Sequence, residues 1–154
     1  ADALNCVAKQ PEILLRKKAP IIITPHPGEM SRLTGLATPL VNAERERVAL
    51  DFAQKYGVVT VLKGAGTVIA SPNGKVLVNP TGNSGMATGG SGDALAGMTA
   101  SILAQVASAF SSAAAAVYLH GLAGDIAAEK YGKISMLPTD LINCIPLAYK
   151  RCGF

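Results

Sequence analysis

The 154-residue chain has no tryptophan, and aromatic residues make up only 5% of it. Grooves that bind single-stranded nucleic acid stack bases on aromatic side chains, and this chain has little material for that. Its net charge of +4 is also dispersed: Arg16, Lys17 and Lys18 form the only basic run, while Arg45 and Arg47 alternate with Glu44 and Glu46. No nucleic-acid partner is expected. Cysteine is equally sparse. Cys6, Cys144 and Cys152 are odd in number, widely spaced and without a CxxC pair, which argues against a disulfide framework or a zinc site and fits a reduced, cytoplasmic setting. Charged residues are few at 16%, against 49% hydrophobic, a balance that excludes wholesale disorder. No targeting or lipidation signal is legible. An uninterrupted long apolar run is missing as well. Residues 94–128 come nearest, but Gln105, Ser108, Ser111, Ser112, His120 and Asp125 break them up and alanine dominates the rest. Two closely packed helices are predicted there, and no membrane span.

What is present alternates between two periods. "APIIITPHPGE" (19–29) carries a β-branched apolar run that stops at Pro25, the pattern of a buried strand. Residues 38–57 read as a helix with Thr38 as N-cap, Pro39 in its first turn and Gly57 as its stop. Val41, Val48, Ala49, Phe52, Ala53 and Tyr56 share one face of it. "VVTVLKG" (58–64) reads as a second buried strand, which completes a βαβ unit with a parallel pair and a right-handed crossover. Residues 67–80 form a predicted hairpin turning at Pro72, Asn73 and Gly74. Helices follow at about 92–107 and 111–131, with a last one capped by Thr139 or Asp140 and running through Tyr149. The chain is α/β with an antiparallel addition to its sheet.

"NPTGNSGMATGGSGDALAG" (79–97) places Gly82, Gly85, Gly89, Gly90, Gly92 and Gly97 around one acid, Asp93. It is no P-loop: Gly85 and Gly90 have the first spacing of GxxxxGK[ST], but Ser91 and Gly92 follow. Nor is it a dinucleotide fingerprint, because Leu95 stands where the last glycine of GxGxxG belongs. What remains is a glycine run entering a helix near Asp93. Free amide N–H groups and the macrodipole at a helix N-terminus form an anion site, and the carboxylate beside them is available as a base. An anion hole next to a base suits phosphoryl transfer to a hydroxyl. An aspartate that merely caps the helix is the plain alternative.

"TGGSGD" resembles the GxGD anion-hole and base motif of the ribokinase-like superfamily. "NPTGNSGMATGGSGDALAG", "TPHPGEMSRLTG" and "VVTVLKGAGTVIASPNGKVLVNP" are similar, more specifically, to the ADP-dependent NAD(P)H-hydrate dehydratases, as are the opening "ADALN" and the closing "LPTDLINCIP". The likeness runs in register over nearly the whole chain. It implies the ribokinase-like three-layer fold: a mostly parallel sheet, helices on both faces and an antiparallel hairpin. Residues 1–154 would be a single partial domain, the C-terminal part of the catalytic domain, with the N-terminal part absent from this sequence. Members of that family repair NADH or NADPH hydrated at carbon 6, phosphorylating the hydroxyl with a nucleotide and then eliminating phosphate.

Carried over by position, the resemblance makes Asp93 the general base and a substrate contact. His26 of "PHPGE" becomes a second contact to the hydrated cofactor. Lys63, Gly64, Ala65, Gly66 and Thr67, together with Gly90, Ser91 and Gly92, become the nucleotide-binding positions. Glu29 matches an acidic position linked to Mg2+, reached through water. "GNSGMATGGSGD" resembles the bacterial and archaeal branch, which prefers ADP, so the implied phosphoryl donor is ADP, with ATP as the alternative. The implied partners are NADHX or NADPHX, an adenine nucleotide, the missing first half of the domain and further copies in a homo-oligomer. Two other functions compete. A vitamin or sugar kinase of the same superfamily typically carries asparagine where His26 stands, and a nucleotide-binding subunit would have no turnover. His120 matches no site position and reads as a structural histidine.

Overall fold

The computed structural model describes residues 2–154, and the chain divides into two compact units that meet in sequence between Val78 and Asn79. The first is α/β. It opens with α1 (Asp2–Lys9) and a 3-10 turn over Pro11–Arg16, neither of which the sequence pattern had suggested. Then come β1 (Ile22–Ile23), α2 (Pro27–Thr34), α3 (Thr38–Ala43), α4 (Arg45–Tyr56), β2 (Val59–Leu62), β3 (Val68–Ala70) and β4 (Val76–Val78).

The strands lie in the order β1-β2-β3-β4. β1 and β2 are parallel, with Ile22 opposite Val59, and α2, α3 and α4 lie between them in the chain. β3 turns back antiparallel to β2, and β4 to β3. Within this chain the sheet is therefore mixed: one parallel pair among the described strands, extended by the expected antiparallel hairpin. Every residue of β2 and β3 is buried, which explains their unbroken apolar character. The hairpin turn closes with Gly74 N–H donating to Ser71 O, Gly74 at φ +93°.

α4 packs on β2 and β3. Val41, Val48, Ala49, Phe52, Ala53 and Tyr56, the face read from the sequence, are all core residues. The single helix expected over 38–57 is nevertheless two. Glu44, at φ −125° and ψ 42°, separates α3 from α4, so Arg45 becomes the first residue of a new helix. Thr38 also lies inside α3, whose N-cap is Ala37.

The second unit is helical: a 3-10 turn at Ser84–Met86, then α5 (Ser91–Leu103), α6 (Ala109–Tyr131) and α7 (Pro138–Arg151). α6 packs against both α5 and α7. Its alanines at 113, 116, 123 and 127 are fully buried, which is how so small a side chain lets long helices approach closely. Leu137 is the N-cap of α7. Asp140, expected as a cap, instead sits in the first turn and accepts the Leu137 amide at 2.8 Å. Among the described residues no helix is long and apolar enough to cross a membrane.

Candidate functional site

In the first unit the predicted residues gather around two turns. The sequence "PHPGE" builds the start of α2, with Pro27 in its first turn, where a missing N–H costs nothing. His26 is the N-cap. Its Nδ1 accepts the amides of Gly28 at 3.1 Å and Glu29 at 3.3 Å, so that nitrogen carries no proton. The N–H of that tautomer is on Nε2, which lies 3.6 Å from Glu29 Oε2, and the side chain is 51% exposed. His26 can thus offer a directed N–H to a ligand.

Glu29 closes the same capping box. Its Oε2 accepts the His26 amide at 2.7 Å and lies 3.9 Å from Lys63 Nζ. A lone glutamate in such a sequence is ordinarily a surface residue, yet Glu29 is only 4% exposed. The cap and the lysine explain why it tolerates burial. Mg2+ prefers oxygen ligands and commonly arrives held by phosphates and water with one or two carboxylates. Among the described residues no three His, Cys, Asp or Glu side chains gather to hold a metal ion. The donor set does not fit a resident metal; a cation here would have to bring most of its own oxygen ligands.

Lys63–Thr67 turns directly out of β2. Lys63 N–H donates to Pro25 O at 2.8 Å, which ties this turn to the His26 turn. Gly64 has φ +149° and Gly66 φ +62°. Thr67 Oγ1 donates to Gly64 O at 3.1 Å. The turn is held from below by Arg45, which no sequence motif had singled out. Arg45 Nη2 donates to Leu62 O at 2.8 Å and to Gly66 O at 3.2 Å, so one guanidinium nitrogen holds both sides of the turn. A Cβ on Gly64 would collide with Arg45 Nη1. Burial lowers the Arg45 pKa from its ordinary value, and the group remains a cation.

In the second unit the glycine run enters α5 as expected, two residues earlier than Asp93. Gly90 is the N-cap in the left-handed conformation, φ +100° and ψ −24°, and a Cβ there would press on Pro138 Cγ at 3.2 Å. The amides of Asp93 and Ala94 both donate to Gly90 O at 3.1 Å. The Gly92 amide meets no acceptor among the described residues. Ser91 is 6% exposed, and its Oγ has no hydrogen-bond partner among the described residues. Asp93 is exposed in the first turn. An open amide and an exposed carboxylate at one helix mouth are what an anion hole with an adjacent base needs. His120 is buried and meets Ser91 O through Nε2 at 2.9 Å, in keeping with a structural histidine.

Comparison with known proteins gives a consistent result. The family model described as NAD(P)H-hydrate dehydratase matches residues 1–147. The bifunctional NAD(P)H-hydrate repair enzyme of Moorella thermoacetica is 45% identical over 151 residues, 98% of this chain and 28% of that protein. The ADP-dependent (S)-NAD(P)H-hydrate dehydratase of Bacillus subtilis is 37% identical over 136 residues, 88% of this chain and 49% of that one. The crystal structure of the ADP/ATP-dependent dehydratase from the same organism, co-crystallised with ATP/Mg2+, superposes with a TM-score of 0.83 at 38% identity, covering 86% of this chain and 48% of that one. A ribokinase-like superfamily protein of Enterococcus faecalis matches with a TM-score of 0.80 at 32% identity, covering 98% of this chain and 51% of the other. The chain thus spans about half the length, or less, of the relatives it matches.

Proposed function

The chain belongs to the NAD(P)H-hydrate dehydratase family, with its ribokinase-like α/β fold, and from that membership we propose that the protein containing it repairs hydrated NAD(P)H at the cost of an adenine nucleotide, with ADP as donor. The observation that carries the chemistry is the mouth of α5, where an exposed Asp93 carboxylate stands in the first turn beside the unaccepted Gly92 amide.

In the proposed reaction the C6 hydroxyl of the substrate attacks the terminal phosphorus of ADP. Asp93 takes the hydroxyl proton as the new O–P bond forms and the bond to AMP breaks. Amides of Gly90–Gly92 hold the charge that builds on the phosphoryl oxygens, where fixed dipoles need no reorganisation. The C6–O bond of the phosphate ester then breaks, helped by the ring nitrogen lone pair, and loss of a proton from the ring restores the dihydropyridine. Lys63–Thr67 binds the nucleotide through backbone that glycine leaves accessible, with Lys63 supplying positive charge. His26 offers its Nε2–H to the hydrated cofactor. Mg2+, carried by the nucleotide, would add charge neutralisation near Glu29. The reading includes a cytoplasmic location, which three free cysteines suit, and self-association.

The test is recovery of dihydronicotinamide absorbance from hydrated NADH by the full-length protein, with ADP and ATP in parallel. Recovery that requires a nucleotide is the expected result. Accumulation of a phosphorylated product without recovery would give the kinase instead, and nucleotide binding with neither outcome would give the non-catalytic subunit.

A further inference from the structure

One face of α6 meets the glycine segment between Tyr118 and Asp125. His120 and Gly124 are one turn apart, as are Gly121 and Asp125, and the four share a side of the helix. Asp125 divides its carboxylate between two donors: Oδ2 accepts the Gly82 amide at 2.9 Å and Oδ1 accepts Asn83 Nδ2 at 2.9 Å. Asn83 Nδ2 also donates to Gly124 O at 3.0 Å, while Asn83 Oδ1 accepts the Gly85 amide at 3.0 Å. Thr81 Oγ1 meets Tyr118 O at 2.9 Å. At the far end, His120 Nε2 must be the donor to Ser91 O, because a carbonyl only accepts.

The two glycines of this face are there for room. A Cβ at Gly121 would collide with Thr81 Oγ1 and come within 2.8 Å of the Thr81 carbonyl carbon. A Cβ at Gly124 would collide with Met86 Sδ and stand 2.8 Å from its Cγ. Their absence lets residues 81–86 lie directly on the helix, close enough for Asp125 to reach Gly82 and Asn83.

We propose that His120 and Asp125 are positioning residues: from one rigid helix Asp125 fixes the backbone of Gly82 and Asn83 ahead of the anion hole, and His120 fixes Ser91 within it, and together they hold the start of α5, and with it Asp93, in register. This rests on the reading of Gly90–Gly92 and Asp93 given above. The physical ground is that transition-state stabilisation by amide dipoles depends on their being aimed before the charge develops. Ordinary helix packing would stabilise the same segment without controlling turnover. A positioning role separates from it in kcat, measured well below each variant's melting temperature.

The experiment uses the full-length protein and the variants Asp125→Asn, His120→Leu and His120→Gln, with Asn83→Asp/Asp125→Asn as a pair that can rebuild the contact in reverse. Steady-state kinetics with hydrated NADH and ADP is combined with amide hydrogen exchange over residues 82–93. Asp125→Asn turns an N–H2 toward a donor, and His120→Leu removes the donor to Ser91 O. Both should lower kcat about tenfold or more while the KM for ADP stays within about threefold, the pattern of an interaction realised in the transition state. Glutamine places an N–H near the His120 Nε2 position and should recover most of the loss, and the reversed pair should exceed Asp125→Asn alone. Exchange over 82–93 should quicken in Asp125→Asn and His120→Leu. Folded variants with wild-type kcat overturn the proposal, as does a kcat loss without faster exchange or one that glutamine leaves untouched. If the wild-type protein does not recover NADH, the functional reading fails, and exchange alone then decides the bracing: unchanged rates reject it.

Discussion

His26 Nδ1 accepts the Glu29 amide at 3.3 Å, and the Glu29 carboxylate accepts the His26 amide at 2.7 Å. One histidine therefore has two separable jobs, capping α2 through Nδ1 and presenting Nε2–H. Substitutions can part them. Asparagine is among the best N-caps and carries an acceptor at the position of Nδ1, but it cannot reach as far as Nε2. His26→Asn should hold stability near wild type, and His26→Ala should lose about 0.5–2 kcal/mol, read by urea unfolding. Both should depress turnover of hydrated NADH. A fully active His26→Asn protein would remove His26 from the substrate contacts.

Asp93→Asn changes one proton-accepting group and leaves every backbone amide of the α5 mouth in place. Its kcat should fall by about 10²–10⁴-fold, the usual contribution of a general base. ADP affinity by titration calorimetry should stay within a few-fold, since binding is assigned to backbone. Loss of ADP binding in a folded Asp93→Asn protein would make the carboxylate a structural cap.

Gly74 supplies a control away from these turns. It occupies φ +93° in the β3–β4 hairpin, where an added Cβ has space and only the backbone objects. Gly74→Ala should cost about 1–2 kcal/mol of stability, the penalty for an L-residue in left-handed backbone, with no change in kcat. Thermal unfolding beside a rate measurement at low temperature checks both halves of this.

The contrast between these positions shows what could be read in advance. Local rules sufficed where the signal is local: the apolar face of α4, the hairpin turn at Gly74, and the glycine run that opens α5. They failed at α2, because "PHPGE" has two prolines and a histidine where cap rules look for serine, threonine or aspartate. The available signal was Pro27 followed by Glu29, the first turn and the reciprocal acid of a capping box. They failed again at Glu44, where a continuous helical pattern is broken and Arg45 reaches the carbonyls of Leu62 and Gly66, 17 and 21 residues ahead. The burial of Glu29 likewise depends on Lys63, a distant residue on another turn. Asp93 and its glycines stood out in the sequence. The residues that hold the turns, Arg45, His120 and Asp125, did not, because their partners are backbone atoms far along the chain and leave no motif.

Arg45 gives the most direct test of that last group. Its Nη2 holds Leu62 O and Gly66 O together, and Gly64 must lack a side chain because Nη1 fills the space. A lysine at 45 keeps the charge, but a single ammonium on a flexible stem does not reproduce a planar, pre-organised guanidinium. Arg45→Lys should therefore loosen Lys63–Thr67 without removing positive charge from its surroundings. The KM for ADP should rise about tenfold, equivalent to about 1.4 kcal/mol, with kcat at saturating ADP close to wild type. Gly64→Ala should do the same and more, because it adds a collision with Arg45 to a backbone conformation, φ +149°, that alanine resists. In the double variant the collision partner is changed, so the two effects should combine to less than their sum. If both single variants bind ADP like the wild type, Lys63–Thr67 is not the nucleotide turn. If they lose kcat and keep their ADP affinity, Arg45 acts on the chemical step and not on binding.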